Sequence, residues 1–361
     1  MKTKKPSVAL IFGGMGKEHS VSVCGAPYLY SLIDRSRFNV IPILIEEDGT
    51  ATSASISDSG EITTDGTAAH LFRMFGRGGV IIDGDFTPLA AAIPLLHGDF
   101  GEDGTVQGAL ATVGVPYIGC DGFAGSLCLD KIFSKIVAEH LGLPVAKYRY
   151  FTFSEKPADR PSLASDSVKS EIISTLGDID SHLGYPIIIK PARLGSSVGI
   201  SVANDREQLI SALELAYGEG GGRILCEEFL PVLCEAECAC LLFDDERIFT
   251  LPGKVKTDSG FYDYEKKYFG IGGTQTTANC EFSDEISSLI REYSERLVRL
   301  LGIRHLSRID FLLTKDRGII FNEINTFPGF TRDSLYPKLL DAAGISPADA
   351  INRLICEVIG L

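Results

Sequence analysis

The 361-residue chain is long enough for two or three domains, and its 45% apolar content and 38 glycines are typical of a loop-rich α/β enzyme. Its 34 basic and 48 acidic side chains give a net charge of −14, which disfavours nucleic acid or an anionic membrane as a partner. The basic leader precedes too few apolar residues for a signal peptide, and no apolar run approaches a membrane span. We therefore expect a cytoplasmic protein.

The first part of the chain is predicted to begin with a β-α-β unit. A strand over Val8–Phe12 ends at Gly13-Gly14, a helix runs from about His19 to Ile33, and a second strand covers Phe38–Ile45. The polar stretch from Asp48 to Thr67 is rich in Ser, Thr and Gly, which indicates a loop or excursion.

The middle of the chain continues with alternating strands and helices. An apolar run from Leu89 to Leu96 is followed by a helix from about Thr105 to Val113 and by one helix that starts near Ser126. Further strands are predicted over Lys147–Phe153 and Ile187–Lys190.

The last third contains strands, an amphipathic helix over Asp284–Leu301 and a capped terminal helix. In the terminal helix Ser346 is predicted as the N-cap, with Pro347 at the first helical position and Asp349 at the third.

Two strands near the C-terminus are predicted to form a hairpin. Ser307–Phe311 and Phe321–Thr326 each alternate apolar and polar residues, and Lys315–Gly318 between them has turn chemistry. We place the turn centre between Asp316 and Arg317, which fixes the pairing of the two strands.

This pairing puts Asp310 opposite Glu323 and Arg308 opposite Asn325, with all four side chains on one face. Two facing carboxylates repel each other unless a cation lies between them, and oxygen ligands suit Mg²⁺, which commonly accompanies a nucleotide phosphate. The alternative is a solvated sheet face whose charges Arg308 balances. A bulge at Gly318 would shift the register by one residue.

A strand–loop–strand segment follows Tyr185 and contains Gly195-Ser196-Ser197-Val198-Gly199. Small residues and backbone N–H groups in such a loop suit a close approach to phosphate oxygens. Lys190 ends the buried strand before the loop, where an unpaired ammonium would be costly, so phosphate is a natural partner. The same residues also fit a flexible hairpin tip with a lysine that extends to solvent.

From about Val8 to its end, the chain resembles the D-alanine–D-alanine ligases of the ATP-grasp superfamily. The resemblance combines several motifs in a fixed order: Phe12-Gly13-Gly14 with Glu18 and Val21-Ser22, His97-Gly98 with Gly101 to Gly108, Asp130-Lys131, the Lys190 to Gly199 loop, Phe261 to Tyr268, and the hairpin with Asn325 to Gly329.

The resemblance implies an α/β (α+β) three-domain ATP-grasp fold. Its parts are an N-terminal Rossmann-like (pre-ATP-grasp) substrate-binding domain over 1–125, a central lid domain over 126–225 and a C-terminal catalytic domain over 226–361. The implied reaction is the ATP-dependent, ADP-forming ligation of two D-alanines through an acyl phosphate, for bacterial peptidoglycan precursors. A D-Ala-D-Ser or D-Ala-D-Lac ligase of the same family is the alternative. The implied cofactors are ATP and two Mg²⁺ ions, which Mn²⁺ can replace, and the implied assembly is a homodimer.

The family's site residues match positions in this chain. The resemblance implies the metal ligands Asp310, Glu323 and Asn325. It implies ATP contacts by Lys131, Lys190, Ser197, Glu227, Phe229, Leu230 and Glu235, although one extra residue lies between Leu230 and Glu235. It implies catalytic roles for Glu18, Ser196, Arg308, Tyr268 and Gly329, and substrate contacts by His97, Lys267, Ser334 and Leu335.

Three positions depart from the family pattern. Asp99 stands where relatives often carry a basic or small residue, Arg332-Asp333 replaces the usual Ser-His pair, and a glycine-rich stretch follows Tyr268. Two other classes of function make different demands on these motifs. A different ATP-grasp ligase would lack Glu18, Phe261 to Tyr268 and Ser334-Leu335 in combination, and a nucleotide sensor without turnover could lose the metal pair.

Overall fold

A computed structural model describes residues 5–153, 166–196, 198–220, 222–256, 275–278 and 282–361. Within these ranges the helices are α1 His19–Leu32, α2 Thr105–Val113, α3 Gly122–Leu129, α4 Lys131–His140, α5 Asp166–His182, α6 Arg206–Gly220, α7 Asp284–Leu301, α8 Leu335–Ala342 and α9 Pro347–Val358. None of them is long and apolar enough to cross a membrane.

The strands form three sheets. The first contains β1 Ser7–Gly13, β2 Asn39–Ile45, β3 Ala51–Ile56, β4 Ile62–Met74, β5 Arg77–Ile82, β6 Asp85–Pro88 and β7 Ala91–Leu95. The second contains β8 Tyr148–Thr152, β9 Ile187–Pro191, β10 Ser201–Ala203 and β11 Arg223–Glu228. The third contains β12 Val232–Leu242, β13 Arg247–Phe249, β14 Gly253–Lys256, β15 Gln275–Thr277, β16 His305–Thr314 and β17 Gly318–Asn325.

The first sheet has the order β6-β5-β4-β3-β2-β1-β7. Strand β1 is parallel to β2, as the β-α-β start of the chain predicts, and it is also parallel to β7. Apolar side chains of β1 alternate between two cores. Leu10 lies in a core shared with the third sheet, and Ile11 packs on the other face beside Leu110 of α2.

The expected loop from Asp48 to Thr67 is wrong. This stretch contains β3 and the start of β4, which continue the sheet from β2 as antiparallel strands. Thr52, Ala54 and Ile56 of β3 are buried, whereas Ser55 between them is exposed. These strands are half-buried and use small side chains, so their composition resembles that of a loop.

The second and third sheets are antiparallel, with orders β10-β9-β11-β8 and β15-β14-β12-β16-β17. Helices α5 and α6 bury the second sheet, and α7 packs with α3 and α4 against the third. The single helix expected near Ser126 is two helices, because Asp130 ends α3 and caps α4 with its own carboxylate.

The amphipathic helix Asp284–Leu301 is confirmed as α7, and α9 begins with Ser346 as its N-cap and Pro347 at its first position. The mixed α/β class is also confirmed. The three-domain division stays a prediction, and its expected boundary after residue 225 falls inside β11.

Candidate active site

The hairpin of β16 and β17 has the predicted pairs at the site, although its turn is centred on Asp316 and not between Asp316 and Arg317. Asp310 faces Glu323, and Arg308 faces Asn325. Arg308 is 7% exposed and Asp310 2% exposed, so this face is enclosed and the alternative of a solvated sheet face is wrong.

A β-bulge produces this pairing, and it lies at Asn322 instead of at Gly318. Nearer the turn, Phe311 pairs with Phe321, and a regular ladder would then bring Asp310 opposite Asn322. Asn322 is the extra residue, so Asp310 meets Glu323.

Charged groups pack tightly on this face. Arg308 donates to Asp310 through Nε at 2.7 Å and through a terminal nitrogen at 2.6 Å. Asn325 donates its side-chain N–H to Asp310 at 3.0 Å. From the neighbouring strand β12, Glu237 places a carboxylate oxygen 2.9 Å from Arg308 Nε.

Three lysines lie beside the hairpin. Lys131 is the first residue of α4, and its Nζ is 3.1 Å from Glu323. Glu227 of β11 bridges the other two, with one oxygen 2.6 Å from Lys135 Nζ and the other 2.7 Å from Lys190 Nζ. Lys190 therefore has a carboxylate partner, in place of the solvent-directed position that a flexible hairpin tip requires.

Burial and pairing oppose each other in this group. Burial alone would raise the pKa of Glu227, but the two ammonium groups outweigh it and lower this pKa to about 2. Burial lowers the pKa of Lys135 despite its partner Glu227. For Lys190, Glu227 overcomes burial and raises the pKa.

Glu18 lies between two glycine-containing turns. Ser196 donates its hydroxyl to a Glu18 oxygen, and a Cβ added at Gly195 would lie 2.8 Å from the other oxygen. Ser196 has φ +52°, in the left-handed region where a serine is strained. Through Ser196, the turn at Gly195 contacts Glu18, as the family resemblance implies.

A buried carboxylate connects the turn after His97 to the end of the hairpin. One oxygen of Glu102 accepts from the backbone N–H groups of Thr326 and Phe327 at 2.9 and 3.0 Å, and the other accepts from Gly98. His97 Nδ1 donates to the Phe327 carbonyl at 3.1 Å. His97 and Glu102, which follow β7 of the first sheet, therefore hold the backbone just after Asn325.

The residues predicted to contact the second substrate follow the hairpin. Ser334 precedes α8, and its hydroxyl bonds with the side chain of Thr331 at 2.8 Å. A Cβ added at Gly329 would lie 3.3 Å from that hydroxyl, so these two positions are adjacent. Leu335 is buried against Gly253.

The residues predicted on the adenosine side flank the lysines. Leu230 packs in a small core with Ala146 and Ile320, and Phe229 beside it is 38% exposed. Glu235 is on β12, opposite Leu312 of β16. Together they form a partly apolar edge next to Glu227.

Three predicted site residues, Ser197, Lys267 and Tyr268, lie outside the described residues, as does the rest of the Phe261 to Tyr268 motif. The other predicted site residues all lie on the segments named above.

The sequence reading missed Lys135, Glu102, Asn322 and Glu237. Lys135 follows Lys131 by four residues and therefore shares its helix face, which is a detectable signal. Glu237 is a lone acid on the buried part of β12, two residues after Glu235. A regular ladder, as predicted for this hairpin, gives Asn322 no role, so the sequence prediction does not include its bulge.

The donor set on the hairpin fits a hard divalent cation, since Asp310, Glu323 and Asn325 offer carboxylate and amide oxygens on one enclosed face. In the described ranges no three His, Cys, Asp or Glu side chains form a metal cluster.

Comparison with known proteins decides the family. A family model described as D-ala D-ala ligase N-terminus matches residues 7–120, and one described as D-ala D-ala ligase C-terminus matches residues 137–356. The chain belongs to the D-alanine–D-alanine ligase family. It is therefore an ADP-forming ligase, as predicted.

Individual relatives agree over their full length. The D-alanine–D-alanine ligase of Ruminiclostridium cellulolyticum is 35% identical, over 97% of this chain and 94% of the relative. D-alanine–D-alanine ligase A of Escherichia coli is 33% identical, over 98% and 95%. Both comparisons support D-alanine ligation by this chain.

Solved structures confirm the ATP-grasp fold. D-alanyl-alanine synthetase A from Vibrio cholerae has a TM-score of 0.81 and 28% identity, with 99% of both chains covered. The VanG D-Ala:D-Ser ligase from Enterococcus faecalis has the same TM-score, identity and coverage. The fold therefore does not distinguish these two substrate choices.

The low pKa of Glu227 predicts a loss of stability in acid. The folded value of about 2 lies below the ordinary 4.5, so the stabilisation is complete above pH 4.5 and is lost as the pH falls towards 2. Relative to Glu227→Gln, the wild type should lose roughly 1 kcal/mol of its advantage between pH 7 and pH 4, and about 2 kcal/mol by pH 3. Urea unfolding of both proteins at each pH measures this, and a constant difference would contradict the pairing.

Proposed function

We propose that this enzyme makes D-alanyl-D-alanine for peptidoglycan synthesis by phosphorylating the carboxylate of one D-alanine and joining the resulting acyl phosphate to the amine of a second. Joining a carboxylate to an amine in water is uphill and lacks a leaving group. Transfer of the ATP γ-phosphoryl group supplies that leaving group.

One observation carries the proposal. The enclosed face with Arg308, Asp310, Glu323 and Asn325 lies beside Lys131 and Lys190, so the residues proposed to bind a cation adjoin those proposed to bind phosphate.

The metal ligands are proposed to be Asp310, Glu323 and Asn325. They would hold two Mg²⁺ ions, which Mn²⁺ can replace, and these ions would neutralise phosphate charge. Lys131 adds a positive charge that Glu323 already orients. Lys190 can transfer from Glu227 to phosphate, because Lys135 remains as the partner of Glu227.

Phe229 and Leu230 are proposed to cover the adenine, with Glu235 on the ribose and Ser197 on phosphate. Glu18 is proposed to bind the ammonium of the first D-alanine. Its hydrogen bond from Ser196 ties the phosphate loop to that subsite.

Arg308 and the backbone N–H of Gly329 are proposed to donate to the oxyanion that forms when the second amine attacks. Tyr268 is proposed to join Glu18 and Ser196 in one hydrogen-bonded group. His97 and Lys267 complete the substrate pocket in this scheme.

The second D-alanine is proposed to place its carboxylate at Ser334 and its methyl group near Leu335. Leu335 is buried and offers no hydrogen bond to a hydroxyl, which favours D-alanine over D-serine.

Loss of a metal ligand should stop the reaction. Asp310→Asn or Glu323→Gln should lower ADP formation at saturating Mg²⁺ by at least about a hundredfold, because a charge that is worth several kcal/mol in the transition state is removed. A coupled ADP-release assay measures the rate, and circular dichroism controls for folding. Near-normal turnover in both variants would contradict the metal assignment.

Substrate choice is tested by competition. With equal D-alanine, D-serine and D-lactate at neutral pH, D-Ala-D-Ala should be the main product. It should exceed D-Ala-D-Ser by about tenfold or more, since a buried serine hydroxyl without a partner costs ~1–3 kcal/mol. Mass spectrometry of the products gives the ratio. Dominance of D-Ala-D-Ser would show that Leu335 does not control the subsite, and dominance of D-Ala-D-Lac would contradict D-alanine as the second substrate.

The assembly is proposed to be a homodimer. Light scattering coupled to size exclusion should give twice the 39.0 kDa mass of one chain. A mass of one chain across micromolar concentrations would exclude the dimer.

A further inference from the structure

Glu237 lies outside every sequence motif named above. It belongs to a buried group of three charges, with Arg308 and Asp310. It lies on β12 directly opposite Asp310 of β16, and Arg308 is two residues from Asp310 on the same face. Glu237 and Asp310 are each 2% exposed, and Arg308 is 7% exposed. All three charges therefore interact with little screening by water.

Two carboxylates contact the guanidinium of Arg308. Its Nε donates its one proton to Asp310 at 2.7 Å, and a terminal nitrogen donates to Asp310 at 2.6 Å. Glu237 lies 2.9 Å from the same Nε, so with this oxygen it makes an ion pair without a hydrogen bond. One arginine and two carboxylates carry a net charge of −1. An arginine in a buried place needs only one carboxylate for neutrality, so the second has another purpose or a cost.

The second carboxylate is explained if Asp310 has two tasks. As a proposed metal ligand, Asp310 shares its charge with a divalent cation and holds the guanidinium less firmly. Arg308 must nevertheless stay in place, because an oxyanion donor is effective only when it is fixed before charge develops. Glu237 comes from a different strand and is not among the proposed metal ligands.

We propose that Glu237 is a positioning residue that keeps the Arg308 guanidinium fixed and neutralised while Asp310 binds metal. This inference rests on the oxyanion role proposed for Arg308. It assigns to Glu237 no contact with substrate or nucleotide.

The test is a double-substitution cycle on kcat. Glu237→Gln keeps the shape of the side chain and should lower kcat by about 10- to 100-fold, with KM for ATP and D-alanine changed less than about threefold, because the oxyanion exists only in the transition state. Arg308→Lys should lower kcat by roughly 10²- to 10³-fold. The double variant should be no slower than Arg308→Lys alone, within about twofold.

A second readout does not depend on turnover. Glu237→Gln should weaken binding of a tetrahedral phosphinate dipeptide analogue by about 10- to 100-fold, and binding of ADP should stay within about twofold. Isothermal titration calorimetry measures both. Glu237→Asp keeps the charge and should recover part of the lost kcat and analogue affinity.

The matched control is Glu228→Gln. It makes the same chemical change in another Arg–Glu pair, since Glu228 of β11 pairs with Arg317 in the turn between β16 and β17. This control should leave kcat and analogue binding unchanged, and urea unfolding reports the stability of each variant.

The outcomes separate the two proposals. Normal kcat in Arg308→Lys would overturn the oxyanion role and the inference with it. A slow Arg308→Lys with normal kcat in Glu237→Gln would overturn the inference alone. Multiplying effects in the double variant, or equal loss of ADP and analogue binding, would also overturn it, because Glu237 would then act without Arg308.

Discussion

The antiparallel pairing of β16 with β17 is the constraint on which the site depends. It brings two carboxylates, an arginine and an asparagine onto one face, while Phe311 and Phe321 pack on the other face against α7 and its neighbours. The bulge at Asn322 allows both faces to form. It keeps the aromatic side chains in the core and still turns Glu323 towards Asp310 and Lys131.

Buried charge is the second constraint. Lys135 and Lys190 share Glu227, and Asp310 and Glu237 share Arg308. In each group, a side chain that is proposed to bind a ligand pairs with a partner that has a second opposite charge. Lys190 pairs with Glu227, which also pairs with Lys135. Asp310 pairs with Arg308, which also contacts Glu237. A ligand can then take over one member without leaving an unpaired ion in the interior, which would cost several kcal/mol.

Segments distant in sequence meet at the hairpin. Glu102 from the turn after the first sheet binds the backbone at Thr326 and Phe327, and Lys131 from α4 reaches Glu323. Ser196 bonds to Glu18, which precedes α1. Segments that follow the first and second sheets therefore contact one another and the hairpin of the third sheet.

The sequence by itself determined the family, the β-α-β start and helix α7, because these follow from local periodicity and from motifs of fixed spacing. It also predicted that Asp310 faces Glu323, but the structure reaches this pairing through a bulge that the prediction did not contain. It did not determine β3 and β4, whose small polar residues become strands only because β2 offers an edge to pair with. The bulge at Asn322 and the pairing of Glu237 with Arg308 were also decided by the tertiary structure. Both depend on which strand lies alongside, and no pattern within one strand records its neighbour.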